Sequence, residues 1–265
     1  MEYSKRIASL ELSRLGFHVD EIPEGSDKRA DLCVKDDAHT YYIEAKEKFT
    51  ADESPEQRQE RYARGDYWRP VAQLAPNNTV SGVLRDAHGQ LRQTPKPDSA
   101  FQLVWYHADS DLQWQLAFAT FYGYMHLSAT WPPEAESAEC FYFTFSAAYA
   151  MPDVEALLLS EGDGLHMCMN EFSPRREEFR SSRLFNVFSL GQLDPVSMEA
   201  SGEIIACRSS VSRKNPNDVV KSLRSYFKTW LESVVFRRRV KQGGLRMAEL
   251  VSDELWEQIE TLLPP

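Results

Sequence analysis

No stretch of this chain stays apolar for the roughly 20 residues that a bilayer-spanning helix needs, although 42% of its 265 residues are hydrophobic. A helical channel or transporter is therefore not expected. The apolar residues suffice for the core of one large domain, or of one domain with an insertion. Cysteine is sparse and scattered: Cys33, Cys140, Cys168 and Cys207 form no CxxC pair, which speaks against a zinc site and a disulfide framework. His88, His107, His126 and His166 show no metal-ligand spacing and read as structural or surface residues. There is no internal repeat, P-loop or GxSxG elbow, so a motor or nucleotide-hydrolysing activity is not expected and an ATPase would be a separate partner. The opening MEYSKRIASLE is an amphipathic pattern with two early acids, unlike the basic and then apolar start of a signal peptide. A reduced, cytoplasmic protein without membrane contact is the expectation.

An excess of positive charge is missing too, since the chain carries a net −10. The distribution says more than the total. Between Arg208 and Arg246 eleven basic residues face only Asp218 and Glu232, a local balance of +9 that leaves −19 on the rest. Such asymmetry suits a phosphate-binding surface on a protein that otherwise resists nonspecific association.

What is present is concentrated in one candidate hairpin. RADLCV, the turn-like KDDAHT and YYIEAKEK follow one another. In the last segment Tyr41, Ile43 and Ala45 alternate with Thr40, Tyr42, Glu44 and Lys46, and a period of two puts Glu44 and Lys46 on one face of a strand. If Leu32 and Val34 pair with Ile43 and Ala45 against the core, Asp31 begins its strand on the side of Glu44. Two carboxylates and an amine then converge. Oxygen ligands of this kind suit Mg²⁺, which lowers the pKa of bound water and polarises a phosphoryl oxygen. Lys46 would orient or deprotonate that water, or neutralise charge on the phosphate. The same letters also fit an edge hairpin with solvated charges.

Ahead of the hairpin, Glu2 to Leu15 reads as an amphipathic helix in which Ile7, Ala8, Leu10 and Leu15 define an apolar sector containing Glu11. A carboxylate there needs a metal or a partner such as Arg14 or Lys5. Gly16 fits the helix end, and a first strand runs from Phe17 to Ile22.

Taken together, the helix with its glutamate, Leu-Gly-Phe-His-Val, the loop Ile-Pro-Glu-Gly-Ser-Asp-Lys-Arg, Ala-Asp-Leu and Ile-Glu-Ala-Lys resemble the PD-(D/E)xK nuclease superfamily over roughly the first 110 residues. The resemblance implies a restriction-endonuclease-like α/β fold, a mixed sheet flanked by helices. It also implies that Asp31, Glu44 and the Ala45 carbonyl bind Mg²⁺ or Mn²⁺, that Lys46 is the catalytic lysine, and that Glu11 is an accessory acid. Ala30 stands where the family name has proline, a position without a functional group. Members of the superfamily cut DNA far more often than RNA, and some keep the fold without catalysis.

Further along, Glu53 to Asp66 reads as a charged helix or loop. Asn77-Asn78 caps a helix from Thr79 to about Arg92, and Phe101 to Tyr106 is a strand. Residues 111–210 are expected to form a β-rich insertion or second sheet, with strands at Phe118–Leu127, Phe141–Phe145, Leu165–Met169 and Glu203–Arg208. Trp105, Trp114, Trp131, Tyr122 and Tyr124 are candidates for stacking unpaired bases, or for the core. Residues 211–265 form a basic helical region. Asn215 caps its main helix, Val219, Leu223, Tyr226, Phe227, Trp230 and Val234 face inward, and Lys221, Arg224 and Lys228 lie opposite. With Arg237, Arg238 and Arg239 these are candidate DNA contacts, or a merely solvated face. The expected activity is Mg²⁺-dependent cleavage of DNA in restriction, repair or defence against foreign DNA, with protein partners in a multi-subunit system. The rival is a noncatalytic nuclease-fold subunit that scaffolds a larger complex.

Overall fold

A computed structural model describes residues 3–23, 29–48, 63–64, 76–127, 138–162, 164–188 and 191–223, all within one compact unit, Met1–Leu223. The frame is a mixed seven-stranded sheet flanked by helices. Its strands are β1 (His18–Glu21), β2 (Leu32–Lys35), β3 (Thr40–Lys48), β4 (Phe101–Ala108), β7 (Ala156–Glu161), β8 (Gly164–Met169) and β9 (Gln192–Leu193), in that spatial order. A second sheet of three strands is ordered β10 (Ile204–Ala206), β6 (Ala138–Phe141) and β5 (Met125–Leu127). β1, β2 and β3 pair antiparallel, whereas β3, β4 and β7 run parallel. Parallel neighbours need a crossover. Between β3 and β4 it includes helix α2 (Asn78–Gln93), and between β4 and β7 helix α3 (Asp111–Tyr122).

Each face of the sheet carries its own apolar core. On one, helix α1 (Tyr3–Arg14) sets Ala8 and Leu12 against Leu32, Val34, Ile43, Ala45, Leu103 and Trp105. On the other, α2 sets Val80, Leu84, Ala87 and Leu91, and α3 sets Leu116, Ala117 and Phe121, with Val104, Tyr106, Leu157 and Leu159. The strand alternation expected for β2 and β3 is therefore observed: Leu32 and Val34 share the α1 face with Ile43 and Ala45, leaving Glu44 and Lys46 on the α2 face. α2 also matches its signals. The Asn77 side chain accepts from the Thr79 and Val80 amides, which satisfies two of the amides left open at a helix start.

Helix α1 corrects the expected stripe. Its buried residues are Ser4, Lys5, Ala8 and Leu12, while Leu10 is exposed and Glu11 stands at the margin. Two polar residues on the inner face disguised it, and the apparent apolar sector lay rotated around the helix. Gly16 ends α1 at φ +81°, a left-handed turn in which a side chain would also meet the Arg183 guanidinium at 2.8 Å.

Beyond residue 110 the sheet continues. The expected Phe118–Leu127 strand is mostly α3, capped by Ser110 and closed by Gly123 at φ +61°, and only Met125–Leu127 is extended. α3 lies against the main sheet and packs Phe118 and Tyr122 on Phe141 of the smaller one, so it is apolar nearly all round and shows no helical stripe. β7, a central strand, was not expected at all. Its ALLL run is buried on both faces, and such a run has no alternation to read. β8 joins the main sheet beside it. The expected Phe141–Phe145 strand ends at Phe141, where Tyr142 turns out with φ +60°, and the Glu203–Arg208 strand shortens to β10.

Candidate active site

Asp31, Glu44 and Lys46 are brought together where β2 begins beside β3. Asp31 stands immediately before β2 and takes over the ladder there. Its N–H donates to the Ile43 carbonyl at 3.1 Å, and its Oδ2 accepts from the Ala45 N–H at 2.9 Å. Main-chain N–H and C=O of one strand residue point to the same side, so the Ala45 carbonyl is directed towards the same edge as Asp31.

Glu44 is fully buried on the α2 face of β3. Lys46 Nζ lies 2.5 Å from its Oε1, yet neither Glu44 oxygen makes a directed hydrogen bond. The contact is a charge pair of poor hydrogen-bond geometry. Burial first, and then the neighbouring Asp31 carboxylate, push the Glu44 carboxyl up to about 8 against the pull of Lys46. Two facing carboxylates repel unless a proton or a cation sits with them. Lys46 in turn donates to Gln90 Oε1 of α2 at 2.7 Å. One helical turn later Thr94 Oγ1 accepts from the Ala30 N–H at 2.7 Å, so the C-terminal end of α2 fastens both the lysine and the residue before Asp31.

Helix α1 supplies a residue the sequence reading gave no role in the site. Lys5 Nζ lies 3.8 Å from Asp31 Oδ1 and 3.8 Å from Glu21 Oε2. Glu11, the expected accessory acid, instead pairs with Arg14 at 3.0 Å on the half-exposed margin of the helix. Glu47, next along β3, faces α1 and accepts from the Ser4 amide at 2.6 Å, a carboxylate at the positive end of a helix. Gln90 and Thr94 carried no signal in the sequence: a polar residue on a helix flank is ordinary, and their roles depend on where α2 docks.

Among the described residues no group of three or more His, Cys, Asp and Glu side chains is arranged to hold a metal ion. The oxygens offered near Glu44 are those of two carboxylates, its own and that of Asp31, and the Ala45 carbonyl, with the Lys46 ammonium beside them. This set fits a hard divalent ion that keeps most of its waters, because the buried Glu44 oxygens lack the hydrogen bonds that such groups ordinarily have.

Elsewhere Trp105 and Tyr122 are core residues, while Trp114 is half-buried, stacks on Phe118 and lines a cavity of about 190 Å³ with Asp111, Glu161, Gly164 and His166. Trp131 lies outside the described residues, as do Arg224, Lys228, Arg237, Arg238 and Arg239 and nearly all of Glu53 to Asp66. Lys221 is exposed on a helix described over 216–223, whose Val219 and Leu223 are buried and whose Asn217 amide is capped by Asn215 Oδ1 at 3.1 Å. No described helix is long and apolar enough to cross a membrane. In comparison with known proteins, no family model, curated protein or solved structure matches the chain.

Proposed function

We propose that this chain is a Mg²⁺- or Mn²⁺-dependent nuclease of restriction-endonuclease-like fold that hydrolyses phosphodiester bonds of DNA, in restriction, repair or defence against foreign DNA. One observation carries the reading: a fully buried glutamate with two oxygens lacking hydrogen bonds stands beside a second carboxylate and a lysine of the same strand face. Asp31, Glu44 and the Ala45 carbonyl would hold the ion. When bound, it supplies Lewis acidity at a phosphoryl oxygen and a water acidic enough to attack near neutral pH. Asp31 is oriented for this by the Ala45 amide, which fixes one of its oxygens. Lys46 is positioned by Gln90 to direct the attacking water or to neutralise charge on the phosphate. Exposed Lys221 would contribute to DNA binding; Arg224, Lys228, Arg237, Arg238 and Arg239 are further candidates by sequence.

A second reading has its own support. The Lys46–Glu44 contact gives the buried carboxylate a partner within the chain, which suits a noncatalytic subunit that scaffolds a larger complex. Incubation of the purified chain with plasmid and Mg²⁺ or Mn²⁺ separates the two. Ion-dependent cleavage that disappears in Lys46→Ala supports the nuclease. Absence of cleavage with both ions, in protein that binds them, favours the scaffold.

A further inference from the structure

Lys5 is out of place for a surface lysine. It is 7% exposed and lies in the first turn of α1, where the helix dipole presents its positive end and disfavours an ammonium. Its stem is long enough to run along the surface with the charge in water. The ammonium instead turns inward and stands between Asp31 Oδ1 and Glu21 Oε2, 3.8 Å from each. These separations are ion pairs longer than a direct hydrogen bond. The carboxylates must therefore hold it by charge, and the inward one of the two is Asp31, at the start of β2. Glu21, on β1, is 42% exposed and offers a second partner on the solvent side.

We propose that Lys5 is the resident counter-ion of Asp31, neutralising it while no divalent cation is bound and competing with such an ion for Oδ1. The inference rests on the reading that Asp31 and Glu44 bind a divalent ion. Sharing between two carboxylates lets the ammonium shift towards Glu21 as an ion arrives, so that Lys5 keeps a partner and the arriving charge is not repelled at contact distance. Lys5 is thus a positioning residue that sets the affinity of the ion site.

The test is calorimetric titration of the full chain with MnCl₂, comparing wild type with Lys5→Met, Lys5→Arg, Glu21→Gln and Asp31→Asn. Loss of the competing charge in Lys5→Met is expected to tighten Mn²⁺ binding by about tenfold or more, as unit charges a few ångströms apart interact strongly near a protein surface. Lys5→Arg keeps the charge and restores wild-type affinity. Glu21→Gln removes the alternative partner, presses Lys5 onto Asp31 and weakens binding by about threefold, the scale of a half-exposed pair. Without ion the melting temperature of Lys5→Met falls, and Mn²⁺ raises it by more than in wild type. If Asp31→Asn abolishes binding while Lys5→Met and Glu21→Gln bind as wild type does, Lys5 is structural; the proposal is overturned and the ion site stands. Binding seen only in Lys5→Met supports the counter-ion and defeats the ion-dependent nuclease reading. No binding in any protein overturns both. Should Lys5→Met not fold, the weakening in Glu21→Gln decides the question alone.

Discussion

Glu44 on β3 and Glu155 just ahead of β7 are both buried, and both hold their protons far above the usual carboxyl range. Their surroundings differ. Just ahead of β7, Glu155 Oε2 accepts from the Gln102 amide at 2.5 Å and Oε1 from Ser173 Oγ at 3.4 Å, and its own amide donates to the Gln102 carbonyl of β4. It ties the start of β7 to β4. Glu44 has no such donor and instead faces Asp31 and Lys46. Two acids equally hidden from water thus differ in their partners: a main-chain amide and a hydroxyl for Glu155, and a second carboxylate and an ammonium for Glu44.

The largest effect that sharpens this contrast is on turnover. Under the nuclease reading Asp31→Ala, Glu44→Ala and Lys46→Ala each lower plasmid cleavage by at least about 10²–10³-fold, the scale of losing one electrostatic group in a catalytic site. Glu155→Ala leaves it within a few-fold in folded protein. Calorimetry divides the first three: Asp31→Ala and Glu44→Ala lose the ion, and Lys46→Ala keeps it. Equal loss of ion binding in all three would make the ion structural.

Stability should respond in the opposite order. Glu155→Ala leaves the half-buried Gln102 amide without its partner and costs about 1–3 kcal/mol by denaturant unfolding. Glu44→Gln, which keeps the position neutral where burial disfavours the carboxylate, raises stability by about 1 kcal/mol above pH 8. A destabilised Glu44→Gln would break the comparison, since it would make Glu44 a structural acid too.

The pH dependence follows from the same two groups. Both carboxyls rise from an ordinary 4.5, Glu155 to about 7 and Glu44 to about 8, in each case chiefly through burial. Between these limits the folded chain holds protons that the unfolded chain has lost, so stability falls as pH rises from 4.5 and the loss is complete above about 8. Saturating Mn²⁺ should recover only the part due to Glu44. Melting curves across this range, with and without the ion, test it, and a recovery that also needs Glu155 would contradict the division.

The smallest expected change concerns Glu11. Its pair with Arg14 is half-exposed, so Glu11→Gln should shift stability by less than about 1 kcal/mol and leave cleavage unaltered. A marked loss of cleavage would return Glu11 to the site and Lys5 to the background.

Local pattern made some of this readable in advance. The alternation Tyr41, Ile43, Ala45 against Glu44, Lys46 assigned faces correctly because a strand buried on one side obeys a period of two, and the Asn77 cap marked the start of α2 because its side chain must satisfy open amides. Where burial surrounds an element the pattern vanishes. α3 and the ALLL of β7 are apolar on all sides, so periodicity could neither identify them nor show that the sheet continues past residue 110. In α1 the inward Ser4 and Lys5 misdirected the reading towards Glu11.

The amino-acid sequence by itself determined the β2–β3 hairpin, its core face, and the presence of two carboxylates and an amine on the other, because these follow from backbone geometry and nearest-neighbour chemistry. The tertiary structure decided that Glu44 is fully buried, which helix residue faces Asp31, and that Gln90 and Thr94 fasten the site. Those contacts join residues that are 26 to 64 positions apart, and their geometry exists only once α1 and α2 have packed on opposite faces of the sheet.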